Sequence, residues 1–280
     1  GIDIRTDRFE AFWKNGYVFQ NMAQTSLALI NNISIHSHEG LYGMHHYQAR
    51  QDSWYANLIW QSVISDERHS YHAGLSMQLD RYDEKLDAEN YDRLEYMPGA
   101  YLQYSMNLDN GFSLIAGIRE DYHNSYGHFI TPRLHMKYDF SGHTHARMSF
   151  GQGWRTAAVI AENSYLLASS RQWEIEEEIR PEVAWNGGAS ITHYFMAGDR
   201  EWNISAEYYH TEFENQLVVD LDSDLREVRF YNLNGRSYSD TYQIELSAPF
   251  VKSMDLRAAL RYNDVMQQIG GKMREVPMTS

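Results

Sequence analysis

The sequence contains no cysteine, which excludes disulfide scaffolds, thiolate metal sites and cysteine nucleophiles. Cations are scarce: 24 Lys and Arg stand against 38 Asp and Glu, a formal charge of -14. Binding a nucleic-acid backbone requires a basic surface that displaces counterions, so nucleic acid is excluded as a partner. No apolar run approaches the roughly 18–20 residues of a transmembrane helix. Residues 1–15 are charged throughout and hold no apolar core of an export signal. No G-x-S-x-G elbow and no Gly-rich phosphate loop occurs, so the motifs give catalysis no support and call for no cofactor.

Aromatic residues, by contrast, are abundant. Twenty-one Tyr, 11 Phe and 7 Trp make up 14% of 280 residues. Tyr and Trp join an apolar ring to a polar tip and suit a membrane–water interface, although soluble β-sandwiches also use them. Hydrophobic residues form 43% of the chain, yet its mean hydropathy is -0.59. That combination fits a β-barrel with a polar loop and lumen surface as well as it fits a soluble domain.

The chain alternates with period two. Pro132, Leu134, Met136, Tyr138 and Phe140 face one way, while Thr131, Arg133, His135, Lys137 and Asp139 face the other. The same alternation runs through Phe112, Leu114, Ala116 and Ile118, through Trp202, Ile204, Ala206 and Tyr208, and through Leu256, Ala258, Leu260 and Tyr262. Such a pattern means strands with one apolar face. That face turns inward in a soluble sandwich and outward to lipid in a membrane barrel. Length and spacing separate the two. Several segments run ten residues or more, near the 9–11 tilted residues that cross a bilayer, against about five or six for soluble strands. Connections also alternate: short near 65–69, 109–111, 141–142, 197–199 and 251–253, long near 36–47, 83–92, 121–128, 155–180 and 221–226. Tight periplasmic turns and long external loops are the mark of outer-membrane barrels. The expectation is an all-β, antiparallel transmembrane barrel wall of about twelve strands in one unit. Residues 156–170, with Ala157, Ala158, Ile160, Leu166 and Leu167, suit a short helix or ordered external loop.

Several phrases carry a family likeness. Phe129-Ile130-Thr131-Pro132-Arg133-Leu134-His135-Met136-Lys137-Tyr138 is followed by Gly151-Gln152-Gly153-Trp154-Arg155-Thr156-Ala157, then by Ala161-Glu162-Asn163. With Pro181-Glu182-Val183-Ala184-Trp185-Asn186-Gly187-Gly188 and Phe230-Tyr231-Asn232-Leu233-Asn234-Gly235, their order resembles the C-terminal barrel of TonB-dependent outer-membrane receptors, the Bacteroides type in particular. The resemblance implies a barrel of roughly 22 strands around a plug, an outer-membrane location, and uptake of a scarce nutrient of the iron–siderophore, haem or cobalamin class. It also implies, as partners, TonB acting through an N-terminal segment, the receptor's own plug, a small nutrient ligand, outer-membrane lipid and a surface lipoprotein. Residues 1–280 would then be an internal part of the wall, about half of it, without plug or TonB-contact segment and with unpaired edges. A smaller complete barrel, acting as a passive pore or phospholipase-type enzyme, and a soluble β-rich binding module are the alternatives.

Candidate site residues follow from loop placement. His36, His38, His45 and His46 cluster in one expected external loop and offer metal ligands, against a bland reading as solvated polar loop. Asp220, Asp222 and Asp224 repeat beside another loop, but the Gly and Glu of an EF-hand are replaced by Leu225 and Tyr231. Glu174, Glu176, Glu177 and Glu178 form an acidic run, a solvated face or a cation-attracting rim. Arg119 and Asp121, near an external strand end, and Tyr126, Tyr165 and Trp173 in long loops are candidate ligand contacts. Loop packing or an aromatic girdle is the competing role for the aromatics.

Overall fold

The structure, a computed structural model, describes residues 1–176, 178–251 and 254–276. In chain order its elements are β1 (Ile2–Val18), β2 (Ser26–Tyr42), β3 (His45–Ile64), β4 (Asp66–Leu86), β5 (Glu89–Asn90), β6 (Arg93–Asn107), β7 (Phe112–His123), β8 (Gly127–Ser141), β9 (Thr144–Arg155), α1 (Val159–Asn163), a 3-10 turn (Ser164–Ala168), β10 (Gln172–Ile175), β11 (Glu182–Ala197), β12 (Arg200–Asn215), β13 (Leu217–Asp220), β14 (Glu227–Asn232), β15 (Ser237–Val251), β16 (Met254–Ile269) and β17 (Lys272–Glu275). Fourteen strands make one antiparallel sheet in the order β1-β2-β3-β4-β6-β7-β8-β9-β11-β12-β15-β16-β17, with β5 on β4. Without the short β5 and β17, twelve wall strands of 12 to 21 residues remain among the described residues. Each pairs with its sequence neighbour in the wall, the simplest outcome of a chain that turns back after every crossing.

The apolar face points outward. Ile204, Leu256, Phe150 and Met148 are 42%, 41%, 53% and 53% exposed, and Leu134 and Met136 pair across strands with Phe150 and Met148. Among the described residues no dry centre encloses them, so the soluble-module alternative falls. Aromatic rings bound this greasy band. Tyr208, Tyr242 and Tyr262 stand abreast on β12, β15 and β16 with centroids 4.9 and 6.2 Å apart. The next outward row toward the loops is His210, Asp240 and Asp264, groups that belong in water. On β6, Tyr96 lies toward the loop end and Tyr104 toward the turn end, eight residues away. At 3.4 Å per residue and a tilt near 40° these span about 20 Å, close to the ~25 Å apolar band of outer-membrane barrels.

The two ends differ. At one, described connections run from the single residue Ser65 to residues 19–25; of the turn expected at 251–253, Lys252 and Ser253 lie outside the described residues. At the other end two connections are far longer, 156–181 and 216–236. Three expected external loops prove instead to be ladder. Residues 36–47, 83–92 and 121–128 close in turns at 43–44, 87–92 and 124–126, and the paired strands run past the membrane. Above the bilayer both faces of a strand meet water. The period-two signal then disappears while the hydrogen-bonded ladder continues.

The two long connections fold together. β10 from the first lies parallel to β14 from the second, and β13 completes a three-stranded sheet. Phe230, Val228 and Leu217 are buried in it against Trp173, Ile175 and Val159. Ile160 and Leu167, from α1 and the 3-10 turn, pack on Tyr42 and Tyr47 at the inward tops of β2 and β3. This apolar packing seats the cap on the wall.

Candidate ligand site at the capped mouth

Alternation sets which side chains enter the lumen. On β4 the inward residues near the loop end include Tyr82 and Glu84; on β6, Arg93 and Glu95; on β7, Arg119, Asp121 and His123. Arg93 joins two strands. Its Nη1 donates to Glu84 at 2.7 Å and its Nε to Glu95 at 2.9 Å, and its guanidinium lies 3.7 Å above the Tyr82 ring. Tyr47 donates its hydroxyl proton to Glu84 at 2.5 Å. One guanidinium therefore serves two nearly buried carboxylates, and the pair keeps a net negative charge.

His123 sits behind Glu95 and is fully buried. Its Nδ1 accepts the Ser125 N–H at 3.1 Å, which puts the proton of the neutral ring on Nε2. That N–H faces Glu95 Oε2 at 3.6 Å, too far for a hydrogen bond, and has no other partner. The Tyr126 ring covers the imidazole at 4.8 Å. Thr156, at the start of the cap, donates to the same Glu95 oxygen at 3.4 Å.

Between these strand ends and the cap lies a cavity of about 1050 Å³. Tyr91, Tyr126 and Trp173 give it aromatic surface, and the indole N–H of Trp173 has no partner. Seven carboxylates line it against two guanidiniums, Arg93 and Arg171. Arg171 is already engaged with the Leu221 carbonyl at 2.8 Å. In the turn below, hydrogen bonds from the His45 ring and the His46 N–H hold the Asp87 carboxyl below its usual range. Burial and the adjacent Glu89 push the Tyr91 phenol up to about 12.

Deeper in the lumen the polarity reverses. Arg119 chelates Asp121 at 2.7 and 2.5 Å and donates to Ser76 at 2.7 Å. A Cβ at Gly99 would strike this group, so glycine there leaves room for the pair to lie across β6. Next comes a hollow of about 620 Å³ whose lining includes Lys14, His72, Arg119 and Arg133 and no carboxylate.

The structure brings Tyr126 and Trp173 into one cavity and places Arg119 and Asp121 one layer beneath it. Tyr165 is 64% exposed and does not line that cavity. The four histidines do not sit together in a loop: His36 and His38 are on β2, and His45 and His46 on β3. His38 meets the Tyr42 hydroxyl at 3.1 Å, His45 meets Asp87 at 2.8 Å, and outward-facing His46 meets Glu39 at 3.3 Å. Alternation divides them between the two faces of the wall. Among the described residues no group of three or more His, Asp or Glu could hold a metal ion. Asp220 caps its own turn, accepting from Ser223 and from the Asp222 N–H, while Asp222 pairs with Arg274. Of the acidic run, Glu174 pairs with Arg229, Glu174 and Glu176 line the cavity, and Glu177 lies outside the described residues. Sequence reasoning missed Glu84, Arg93 and Glu95. Their signal was their shared parity with the lumen face, carried past the point where the apolar pattern stops.

An outward apolar band, aromatic belts and a polar lumen closed by folded loops define the wall of an outer-membrane β-barrel. The family described as "TonB dependent receptor-like, beta-barrel" matches residues 3–277, and the chain belongs to it. No curated protein sequence matches the chain. Among solved structures it is similar to the siderophore receptor PirA from Pseudomonas aeruginosa, with TM-score 0.60 and 10% identity over 95% of this chain and 60% of that one. It is also similar to the alcaligin outer-membrane receptor FauA from Bordetella pertussis, with TM-score 0.64 and 14% identity over 100% of this chain and 49% of that one. The siderophore receptor PiuA from Acinetobacter baumannii gives TM-score 0.63 and 12% identity over 97% and 49%. The chain thus spans between about half and three fifths of these receptors' lengths. At such identities the likeness concerns the fold.

Proposed function

We propose that this wall belongs to an active-transport receptor that captures a scarce nutrient of the iron–siderophore, haem or cobalamin class. On this reading TonB supplies the energy and a plug of the same receptor fills the lumen, with room for a surface lipoprotein over the mouth. The wall performs no covalent chemistry. It supplies a shaped, capped mouth above a polar lumen, and Tyr126, Trp173, Arg119 and Asp121 are the ligand-contact residues. One observation carries the proposal. A cavity of about 1050 Å³ lies at the loop end of a family barrel, roomy enough for a nutrient too large to diffuse through a simple pore. Family membership and siderophore-receptor neighbours favour this reading over a small pore or phospholipase-type barrel.

The test is growth of a strain lacking the whole gene on defined iron–siderophore, haem and cobalamin sources. Lost growth on one of them, restored by the gene, is the expected result. Unchanged growth on all three refutes the proposal.

A further inference from the structure

We infer that the mouth cavity selects a ferric chelate whose exposed part is cationic and amide-bearing, an ammonium beside carbonyl acceptors, and rejects polyanionic chelates. The inference rests on the receptor reading and narrows its ligand. Its first ground is charge. Seven carboxylates line the cavity against two guanidiniums, and with Arg229 paired to Glu174 from outside the lining four negative charges remain in excess (7 − 3); two of those carboxylates, Glu84 and Glu95, share the single guanidinium of Arg93. A trianionic chelate entering this space would meet repulsion from every side in a medium of reduced dielectric. An ammonium would relieve the excess already present, and the faces of Tyr126 and Trp173 would favour it further.

The second ground is independent of charge. One N–H donor among the cavity-lining residues has no acceptor, the indole N–H of Trp173. An unpaired buried donor costs free energy that an incoming acceptor recovers. Amide and hydroxamate carbonyls are such acceptors, and an ammonium alone is not. A ligand that offers both resolves the site's two deficits together. Arg171 spends one of its five donors on the Leu221 carbonyl, and as one of only two guanidiniums in the lining it does not offset the carboxylates around it.

The experiment is isothermal titration of the full-length receptor in detergent with three probes. Ferrioxamine B carries one free ammonium and amide carbonyls. N-acetyl-ferrioxamine B keeps the carbonyls and loses the ammonium, and ferric citrate is anionic. Affinity is expected to fall about tenfold from the first to the second and further to the third. The double variant Glu89→Gln/Glu176→Gln removes two exposed cavity carboxylates without disturbing buried pairs. It should close the gap between the first two probes, whereas Glu120→Gln, on the outward face, should leave it intact. Four results each overturn the inference: equal binding of both ferrioxamines, tighter binding of ferric citrate, no ferrioxamine B binding at ~1 mM, or a gap that survives the double variant. These failures leave the uptake function standing if growth still depends on the gene. Ferrioxamine B binding with no growth phenotype on any source would sink the uptake function alone.

Discussion

Replacing Phe230 with Ala should open both long loops together while the wall stays intact. Phe230 is fully buried, lies 4.6 Å from the Trp173 ring, and forms the centre of a cluster drawn from both connections. Truncating a buried Phe to Ala costs about 3–5 kcal/mol. The cap sheet comprises strands of only four, six and four residues, and so small a unit opens locally at a cost well below that of global unfolding. At about 1.4 kcal/mol per tenfold, the loss raises the open population by a factor on the order of 10²–10³. The loops are coupled by backbone: the Gln172 N–H donates to the Arg226 carbonyl at 2.8 Å and the Glu176 N–H to the Phe230 carbonyl at 3.0 Å. Hydrogen exchange on the receptor in detergent measures the effect. Amides of β10 and β14 should lose protection by the same factor, and those of β8 and β12 by none. If β14 alone loses protection while β10 keeps it, the two loops are not one unit and the reasoning is wrong.

Two more outcomes follow from the same structure. Arg at Ile204, on the lipid face, should cost about 2–4 kcal/mol of folding stability in a urea titration into vesicles, while Arg at its lumen-facing neighbour Ser205 should cost little; equal costs would contradict the assignment of faces. Asp220, in the cap, is held below its ordinary pKa: burial opposes this, but hydrogen bonds from Ser223, the Asp222 N–H and Tyr231 outweigh it. A depressed carboxyl stabilises the fold above its unfolded pKa of about 3.9 and loses that stability as pH falls through the folded value. Cap protection should therefore be flat above about pH 5 and decline below about pH 4. Asp220→Asn should make the decline shallower, and an unchanged acid profile in that variant would contradict the role given to this carboxyl.

Within the bilayer the wall was legible because lipid and lumen impose opposite demands on adjacent residues. That contrast made Leu134 and Arg133, or Ile204 and Ser205, distinguishable by spacing alone, and the expected twelve strands are the twelve long ones found. Outside the bilayer the contrast vanishes. His36, His38 and Glu39 look like loop because water surrounds both faces, yet all three are paired in β2. The helical turn at Val159–Asn163 was visible through Ala157, Ile160 and Leu167. The union of β10 with β14 was not, because a parallel contact between segments more than fifty residues apart leaves no local period. The Arg93 group was hidden for the same reason: Glu84 and Glu95 come from different strands, and only the register places them on one guanidinium.

The pairing of β10 with β14 has a consequence for engineering and for natural variation. Neither long connection can be exchanged singly, because each presents a raw edge that its counterpart must match in register. Grafting a new specificity onto this scaffold would mean transplanting residues 156–181 and 216–236 as a matched cassette, and diversification at one would be expected to bring compensating change at the other.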